Sequence, residues 1–365
     1  VLVGGPEIAG CGTGCWQLAI IMRDPPSNEP PIYRRFPDLV ATLESILLRN
    51  GTSDDVARVL ATNCASAERD GSQSHGLFRM TGYVKNLRSG FVDGRAVPHI
   101  RDAGSAFLYI DAGNGYARPA LESAMPRAIN KARSAGACVL AIGNAHHNGP
   151  LWLDVEPFAE VGLVALGVVN SVTYVVPHGG RKRLYGTNPM AFAVPRMDGQ
   201  VLLFDQATAA MAHGEVAVAA RENKLLPEGI GLDAAGLPTR SPKAILEGGA
   251  LLPFGGHKGS SIAMMIDILA GALTGSNFSH QVDWSAHPGA ESAHTGETVI
   301  LIDPTRGTGS LGMFTQRIED LVAAMADAGQ TRLPGERRLA ARKLAAERGI
   351  VIAPAMWKQL MALRA

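Results

Sequence analysis

Residues 120–150 read ALESAMPRAINKARSAGACVLAIGNAHHNGP. Ala120 to Ala135 is rich in alanine and predicts a helix that stops near Gly136, since alanine favours helix and glycine ends it. Cys138 to Ile142 is a short apolar run of the kind that makes a buried strand. It opens into a polar loop, Gly143 to Pro150. Outward from here the elements mix without the strict βαβ rhythm of a Rossmann domain. Upstream, Phe36 to Glu68 carries helical spacing, with Leu39, Leu43, Ile46 and Leu47 on one face. Thr52 to Asp55 caps a second helix, and Gly82 to Leu87 resumes helix. Strands are expected between residues 96 and 112. Downstream, strands are expected at Leu163–Val169, Val172–Val176, Ala191–Val194, Val201–Phe204 and Val299–Ile302. Helices are expected at Ala207–Glu222, Ser260–Leu273, Thr315–Ala328 and Arg337–Arg348. No internal repeat is found. The expected fold is mixed α/β and non-Rossmann: a central mixed or antiparallel sheet domain over residues 116–304, and a mainly helical lobe from residues 34–115 and 305–365.

The bulk numbers narrow the function. A chain of 365 residues exceeds what one core supports. Its 34 basic and 33 acidic residues balance, without the cationic excess of a nucleic-acid binder. No apolar stretch reaches the roughly 18–20 residues of a membrane span. Four cysteines, Cys11, Cys15, Cys64 and Cys138, are too few for a disulfide scaffold and favour a reducing, cytoplasmic compartment. Residues 1–33 read as a disordered or non-native extension, with Met22 a candidate start. The glycines there lack G-x-G-x-x-G spacing, and Cys11 and Cys15 lack a second metal pair. No metal is expected in the chain.

Four polar, glycine-rich loops are candidates for chemistry, because binding residues gather on loops. In the first, His75 can move a proton near neutral pH, Ser74 can orient it, and Arg79 can grip a carboxylate. From Ser74-His75-Gly76 alone, a plain surface turn before a helix is the better reading. The second, Gly143 to Pro150, follows a strand end and suits a cofactor or substrate, or is a solvated turn. The third runs from His178 to Pro189 and holds Arg181, Lys182 and Arg183, a cationic cluster or a solvated face. The fourth, Phe254-Gly255-Gly256-His257-Lys258-Gly259-Ser260, opens a helix whose amides and Lys258 favour a phosphate. Arg332 to Arg337 starts another helix and offers a further phosphate contact.

Taken in order, Ser74-His75-Gly76 with Arg79, His178 to Pro189, Asp205-x-Ala207-Thr208, Phe254 to Ser260 and Leu333-Pro334-Gly335-Glu336-Arg337 resemble the type-2 malate/L-lactate dehydrogenase family. The likeness runs from about Phe36 to the C-terminus. Within the family it leans to the cyclic-ketimine reductases, through Asp154 to Glu160, Leu251 to Lys258, Asn277-Phe278-Ser279, Asp283-Trp284-Ser285 and His287 to Ala290. The resemblance implies a non-Rossmann NAD(P)H enzyme, typically a homodimer, acting on a small carboxylate substrate. The implied reaction is reduction of Δ1-piperideine-2-carboxylate to L-pipecolate and of Δ1-pyrroline-2-carboxylate to L-proline, with NADPH favoured and NADH possible. It implies His75 as proton donor in a relay with Ser74 and Glu215, and Arg79 and Thr187 at the substrate. The dinucleotide is implied at His147, Asn148, Gly149, Pro150 and Leu151, at Asp205, Gln206 and Ala207, at Gly255 to Ser260, and at Gln330, Thr331, Arg332, Leu333, Pro334, Gly335 and Glu336. The central domain would thus be the NAD(P)H-binding one. Three positions depart from the pattern: Glu215 stands for Asp, Ala209 for Ser, and the His147 loop is more polar. Reduction of an open-chain 2-oxo acid, or a cofactor-binding paralogue without turnover, are the alternatives.

Overall fold

The computed structural model describes residues 29–364. Of the extension expected over residues 1–33, residues 1–28, with Cys11, Cys15 and Met22, lie outside them. In chain order come β1 (Ile32–Arg34), α1 (Phe36–Arg49), α2 (Asp54–Arg69), single helical turns at Gln73–His75 and Leu77–Arg79, and α3 (Met80–Arg88). Next are β2 (His99–Gly104), β3 (Phe107–Tyr116), α4 (Ala117–Ala135), β4 (Ala137–His147), α5 (Trp152–Glu160), β5 (Val164–Val169), β6 (Met190–Pro195) and β7 (Val201–Gln206). Then follow α6 (His213–Arg221), β8 (Gly231–Leu232), β9 (Pro238–Thr239), α7 (Pro242–Leu246), β10 (Ala250–Leu251) and α8 (His257–Asp267), which runs into a π-helical turn at Ile268–Ala272. The chain closes with β11 (Ala293–Ile302), α9 (Thr305–Thr308), α10 (Leu311–Asp327), α11 (Glu336–Arg348), β12 (Ile350–Ile352) and α12 (Pro354–Leu363).

A seven-stranded sheet in the order β2-β3-β4-β11-β5-β6-β7 forms the centre. Only β3 and β4 run parallel. A parallel pair needs a crossover, and α4 supplies it. Ala120, Leu121, Ala124, Ala128 and Ala132 recur every three or four residues on the buried side of α4, and Gly136 ends it at φ 89°. The small side chains let the helix lie close on the sheet. Trp152 and Phe158 of α5 fill the same core. This is the expected mixed, non-Rossmann sheet.

A second core joins the chain ends. Leu39, Leu43, Ile46, Leu60, Met80 and Val84 pack with Ile350, Ile352 and Leu360. β1 pairs antiparallel with β12, so Ile32 and Tyr33 belong to the fold and the boundary expected at residue 34 moves earlier. Two other boundaries shift. Residues 99–115 are sheet strands rather than part of the helical lobe, since Leu108, Ile110 and Ala112 alternate into the sheet core. α10 sits with the sheet, where Glu319 receives Arg196 through two bonds of 3.0 and 2.7 Å. The strand expected at Val172–Val176 is reduced to isolated bridges from Val175 to Tyr185 and Leu251. Conversely, β4 continues to His147 through residues read as loop, because β11 and β3 pair with it there.

The two cores are riveted by Arg342 of α11. Its guanidinium bonds Asp70 at the end of α2 (Nε, 3.1 Å) and Glu156 of α5 (Nη1 and Nη2, both 2.9 Å). Both carboxylates are shielded from water. Arg342→Ala leaves Glu156 buried without this partner, while Asp70 keeps Arg69 (2.7 and 3.1 Å), and is expected to destabilise the protein by about 3 kcal/mol in denaturant unfolding.

Candidate active site

The turn carrying Ser74 and His75 packs against α2. A Cβ on Gly76 would lie 2.1 Å from Glu68 Oε2, the oxygen that accepts the Leu77 amide at 2.9 Å. Glycine is therefore required directly after His75. Ser74 Oγ is 3.0 Å from His75 Nδ1, so the hydroxyl fixes the ring and leaves Nε2 for the reacting molecule. Burial is the main reason that the His75 imidazolium is disfavoured, with Arg79, His147 and Arg338 adding repulsion; its pKa falls to about 3. Those neighbours place His75 between the residues implied for substrate and those implied for cofactor.

Arg79 lines a cavity of about 240 Å³ with Phe78, Lys85, Asn86, Asn148 and Glu291. Its Nε is buried with no acceptor. Among the described residues Arg79 makes no ion pair, and burial weakens its hold on its proton. A sequestered guanidinium without a counter-ion is set for an incoming anion. Tyr174 and His213 stand close: their rings are 4.0 Å apart, and Arg79 helps depress the His213 pKa after burial. Sequence reading passed over both. The only hint was that His213 stands two residues before Glu215.

The relay is only partly assembled. Glu215 is exposed and makes no hydrogen bond to Ser74 or His75 among the described contacts, although a Cβ on neighbouring Gly214 would be 3.8 Å from the Ser74 Cβ. The α6 N-terminus reaches Ser74 without a bond from the Glu215 carboxylate among the described contacts. Thr187 pairs with Ser171, Oγ to Oγ at 3.3 Å, and no bond joins it to Arg79. Its loop is strained at Asn188, φ 38°, which Asp267 and the Ala263 carbonyl hold.

The implied cofactor stretches converge in part. Asp205, Gln330, Arg332, Leu333, Pro334 and Gly335 line one groove of about 470 Å³ with Phe204, Arg337 and Arg338. Gly335 adopts φ 85° there, and a Cβ on it would meet the Leu203 carbonyl at 2.9 Å. Arg338 lies 4.3 Å over the Trp152 ring, and the Trp152 amide donates to Asp205 Oδ2 at 3.3 Å. Gln206 and Thr331 are exposed, and the Glu336 carboxylate accepts its own turn's Leu333 amide. Of the 147–151 stretch, Leu151 and Pro150 are buried and Leu151 belongs to the sheet core, so their side chains face no ligand. A Cβ on Gly149 would strike Asn63 Oδ1 at 2.6 Å, and Asn148 faces the Arg79 cavity.

At the head of α8, Gly255 and Gly256 take φ 55° and 63°, where only glycine is unstrained. A Cβ on Gly259 would come within 2.1 Å of the Phe254 carbonyl. His257 and Lys258 are exposed at this helix start, Ala207 is half-buried, and Ser260 Oγ is taken by the His178 amide. The Phe254 amide donates to the Thr208 carbonyl at 2.9 Å, which sets the glycine loop beside the exit of β7. Among the described residues Lys258, Arg332 and Arg337 make no ion pair, and Arg332 and Arg337 line the groove, a setting that fits an anionic dinucleotide.

One group was not foreseen. Glu297 of β11 is fully buried, and among the described residues neither carboxyl oxygen has a hydrogen-bond partner. It lies beside His147, whose Nε2 is 2.9 Å from Asp154 Oδ2. Burial, reinforced by Asp154, pushes the Glu297 pKa up to about 8. Between about pH 6.5, where an unfolded imidazole beside the released carboxyl has also lost its proton, and that value, the fold keeps a proton that the unfolded chain has released. Stability therefore falls as pH rises across this window, by up to about 1.4 kcal/mol per unit. Glu297→Gln is expected to abolish the loss and to raise the melting temperature at about pH 8 more than at about pH 5.

Comparison with known proteins settles the family. The family described as malate/L-lactate dehydrogenase matches residues 35–361. The chain belongs to that malate/L-lactate dehydrogenase family. Among its relatives in this dehydrogenase family is the Δ1-pyrroline-2-carboxylate/Δ1-piperideine-2-carboxylate reductase of Pseudomonas syringae pv. tomato, 55% identical over 337 residues, which are 92% of this chain and 98% of that protein. The protein of the same name from Pseudomonas putida is 55% identical over 327 residues, 90% of this chain and 95% of its own. The crystal structure of the Δ1-piperideine-2-carboxylate reductase from Pseudomonas syringae superposes with a TM-score of 0.89 at 55% identity, covering 91% of this chain and 99% of that one. As a malate/L-lactate dehydrogenase family member, the protein is an oxidoreductase using a nicotinamide cofactor.

Proposed function

We propose that the protein reduces cyclic imine acids, Δ1-piperideine-2-carboxylate and Δ1-pyrroline-2-carboxylate, with NADPH, to L-pipecolate and L-proline. The observation that carries this reading is Arg79, whose Nε is buried without an acceptor and which makes no ion pair among the described residues, on the helical turn that follows the His75 turn and lining a cavity sized for a small ring. The names of relatives at 55% identity supply the imine as the reacting group. Arg79 holds the substrate carboxylate, which fixes the orientation of the ring carbon to be reduced. The bound cofactor supplies the hydride. His75 holds or delivers the proton at the ring nitrogen through Nε2, while Ser74 keeps Nδ1 occupied. In the free enzyme Arg79 repels a proton from His75. A carboxylate on Arg79 cancels that repulsion and leaves burial, the larger cause, in place.

Lys258, Arg332 and Arg337, without ion pairs among the described residues, are the cations that support NADPH over NADH. Met264, Met265 and Ile268 are exposed along α8 and the turn after it, and support a homodimer. The buried free thiols of Cys64 and Cys138 suit a reducing, cytoplasmic setting. The test is cofactor oxidation with the two cyclic imines, pyruvate and oxaloacetate offered separately. Turnover of the imines alone is expected; turnover of the open-chain acids alone would replace the substrate class and keep the family.

A further inference from the structure

The enclosure around Glu297 contains four charged or titratable groups from four elements: Glu297 on β11, His147 on β4, Asp154 on α5 and Arg118 on α4, with Asp205 of β7 facing His147 from outside. Asp154 has both oxygens engaged. Arg118 Nη1 bonds Oδ1 at 2.9 Å and His147 Nε2 meets Oδ2 at 2.9 Å. The Arg118 charge is thereby matched by Asp154. What is left inside is one imidazole and one carboxyl group without a hydrogen-bond partner among the described residues. A bare carboxylate there would cost several kcal/mol. The enclosure is neutral when those two groups carry one proton between them, either as neutral imidazole with carboxylic acid or as imidazolium with carboxylate. We propose that His147 and Glu297 share a single proton, and that cofactor binding requires this proton to be present.

The coupling rests on the reading of the His147 stretch as a cofactor contact. In either arrangement Asp154 takes the Nε2 proton, so Nδ1 is the face that His147 offers to the site. Loss of the shared proton leaves a buried net negative charge directly under the loop that meets an anionic dinucleotide. His147 and Glu297 are thus positioning residues. His147, Asp154 and Glu297 also bring three metal-ligating atoms within 4.8 Å of one another. Arg118 already occupies Asp154 and weighs against a cation.

Two measurements on the full chain decide the matter. The first is infrared difference spectroscopy of the cofactor-free protein across alkaline pH. One transition involving carboxyl and imidazole bands is expected, absent from Glu297→Gln and moved to lower pH in Asp154→Asn, which is unable to hold the imidazole proton as a carboxylate does. The second is the Kd of NADPH against pH. Wild type is expected to weaken by about tenfold per pH unit beyond the transition, and Glu297→Gln, whose amide mimics the neutral acid, to stay flat. A structural role alone would shift the level of both curves and leave them parallel. No alkaline transition, or a stoichiometric metal that Glu297→Gln loses, overturns the shared proton. A transition with parallel Kd curves overturns the coupling alone. A transition with no NADPH affinity at any pH overturns the cofactor reading of the loop, and the coupling with it, while the shared proton stands.

Discussion

His75→Ala is expected to lower kcat by about 10²–10⁴-fold, the range for a positioned general acid, and to leave the Kd of the reduced cofactor nearly unchanged. The reason is local. Ser74 Oγ at 3.0 Å from Nδ1 aims the ring, and no other described histidine combines that restraint with proximity to Arg79. His213 is near Arg79 but stacks on Tyr174. The free enzyme gives a second check. With its pKa at about 3, His75 stays neutral through the physiological range, so its ring signals are expected not to titrate between about pH 5 and 8 by NMR. A saturating carboxylate analogue is expected to bring the titration up in pH, because it neutralises Arg79. A normal kcat in His75→Ala would remove the histidine from the chemistry.

Arg79→Ala is expected to lower kcat/KM by about 10²–10³-fold, mostly through KM, since charge-assisted bonds to a buried carboxylate are the strong ones. No acidic side chain competes for this guanidinium among the ion pairs of the described residues. Lys85 is the nearest alternative cation in the cavity, and Glu291 has already claimed it. Arg79→Lys keeps the charge and loses the paired geometry, so partial recovery is expected. An unchanged KM in both variants would show that the substrate carboxylate sits elsewhere.

The segments of the candidate site that could be picked out from the sequence carry local signals. Ser74-His75-Gly76 and Arg79 lie on two consecutive short turns, and the glycines at 255, 256 and 259 are each demanded by φ or by a close carbonyl. The fold class was legible for the same reason: the alanine periodicity of α4 and the apolar run of β4 each point to one element. What stayed hidden depends on long-range pairing. Nothing near residue 297 marks it out, since Glu297 becomes remarkable only when β11 inserts between β4 and β5 and brings it to His147 and Asp154. The place of the strand at 99–104 in the central sheet, the placement of α10 and the approach of His213 to Arg79 likewise follow from packing. Glu215 shows the reverse case, a position assigned by likeness whose carboxylate makes no bond to the pair it was to support.

Arg342 holds Asp70 and Glu156 at once, one from each core. A hinge between the cores would have to strip that guanidinium from two acids hidden from water. Opening between the cores therefore carries the cost of parting this contact, about 3 kcal/mol, and a chain relieved of Arg342 is expected to let its two cores rock against each other more easily.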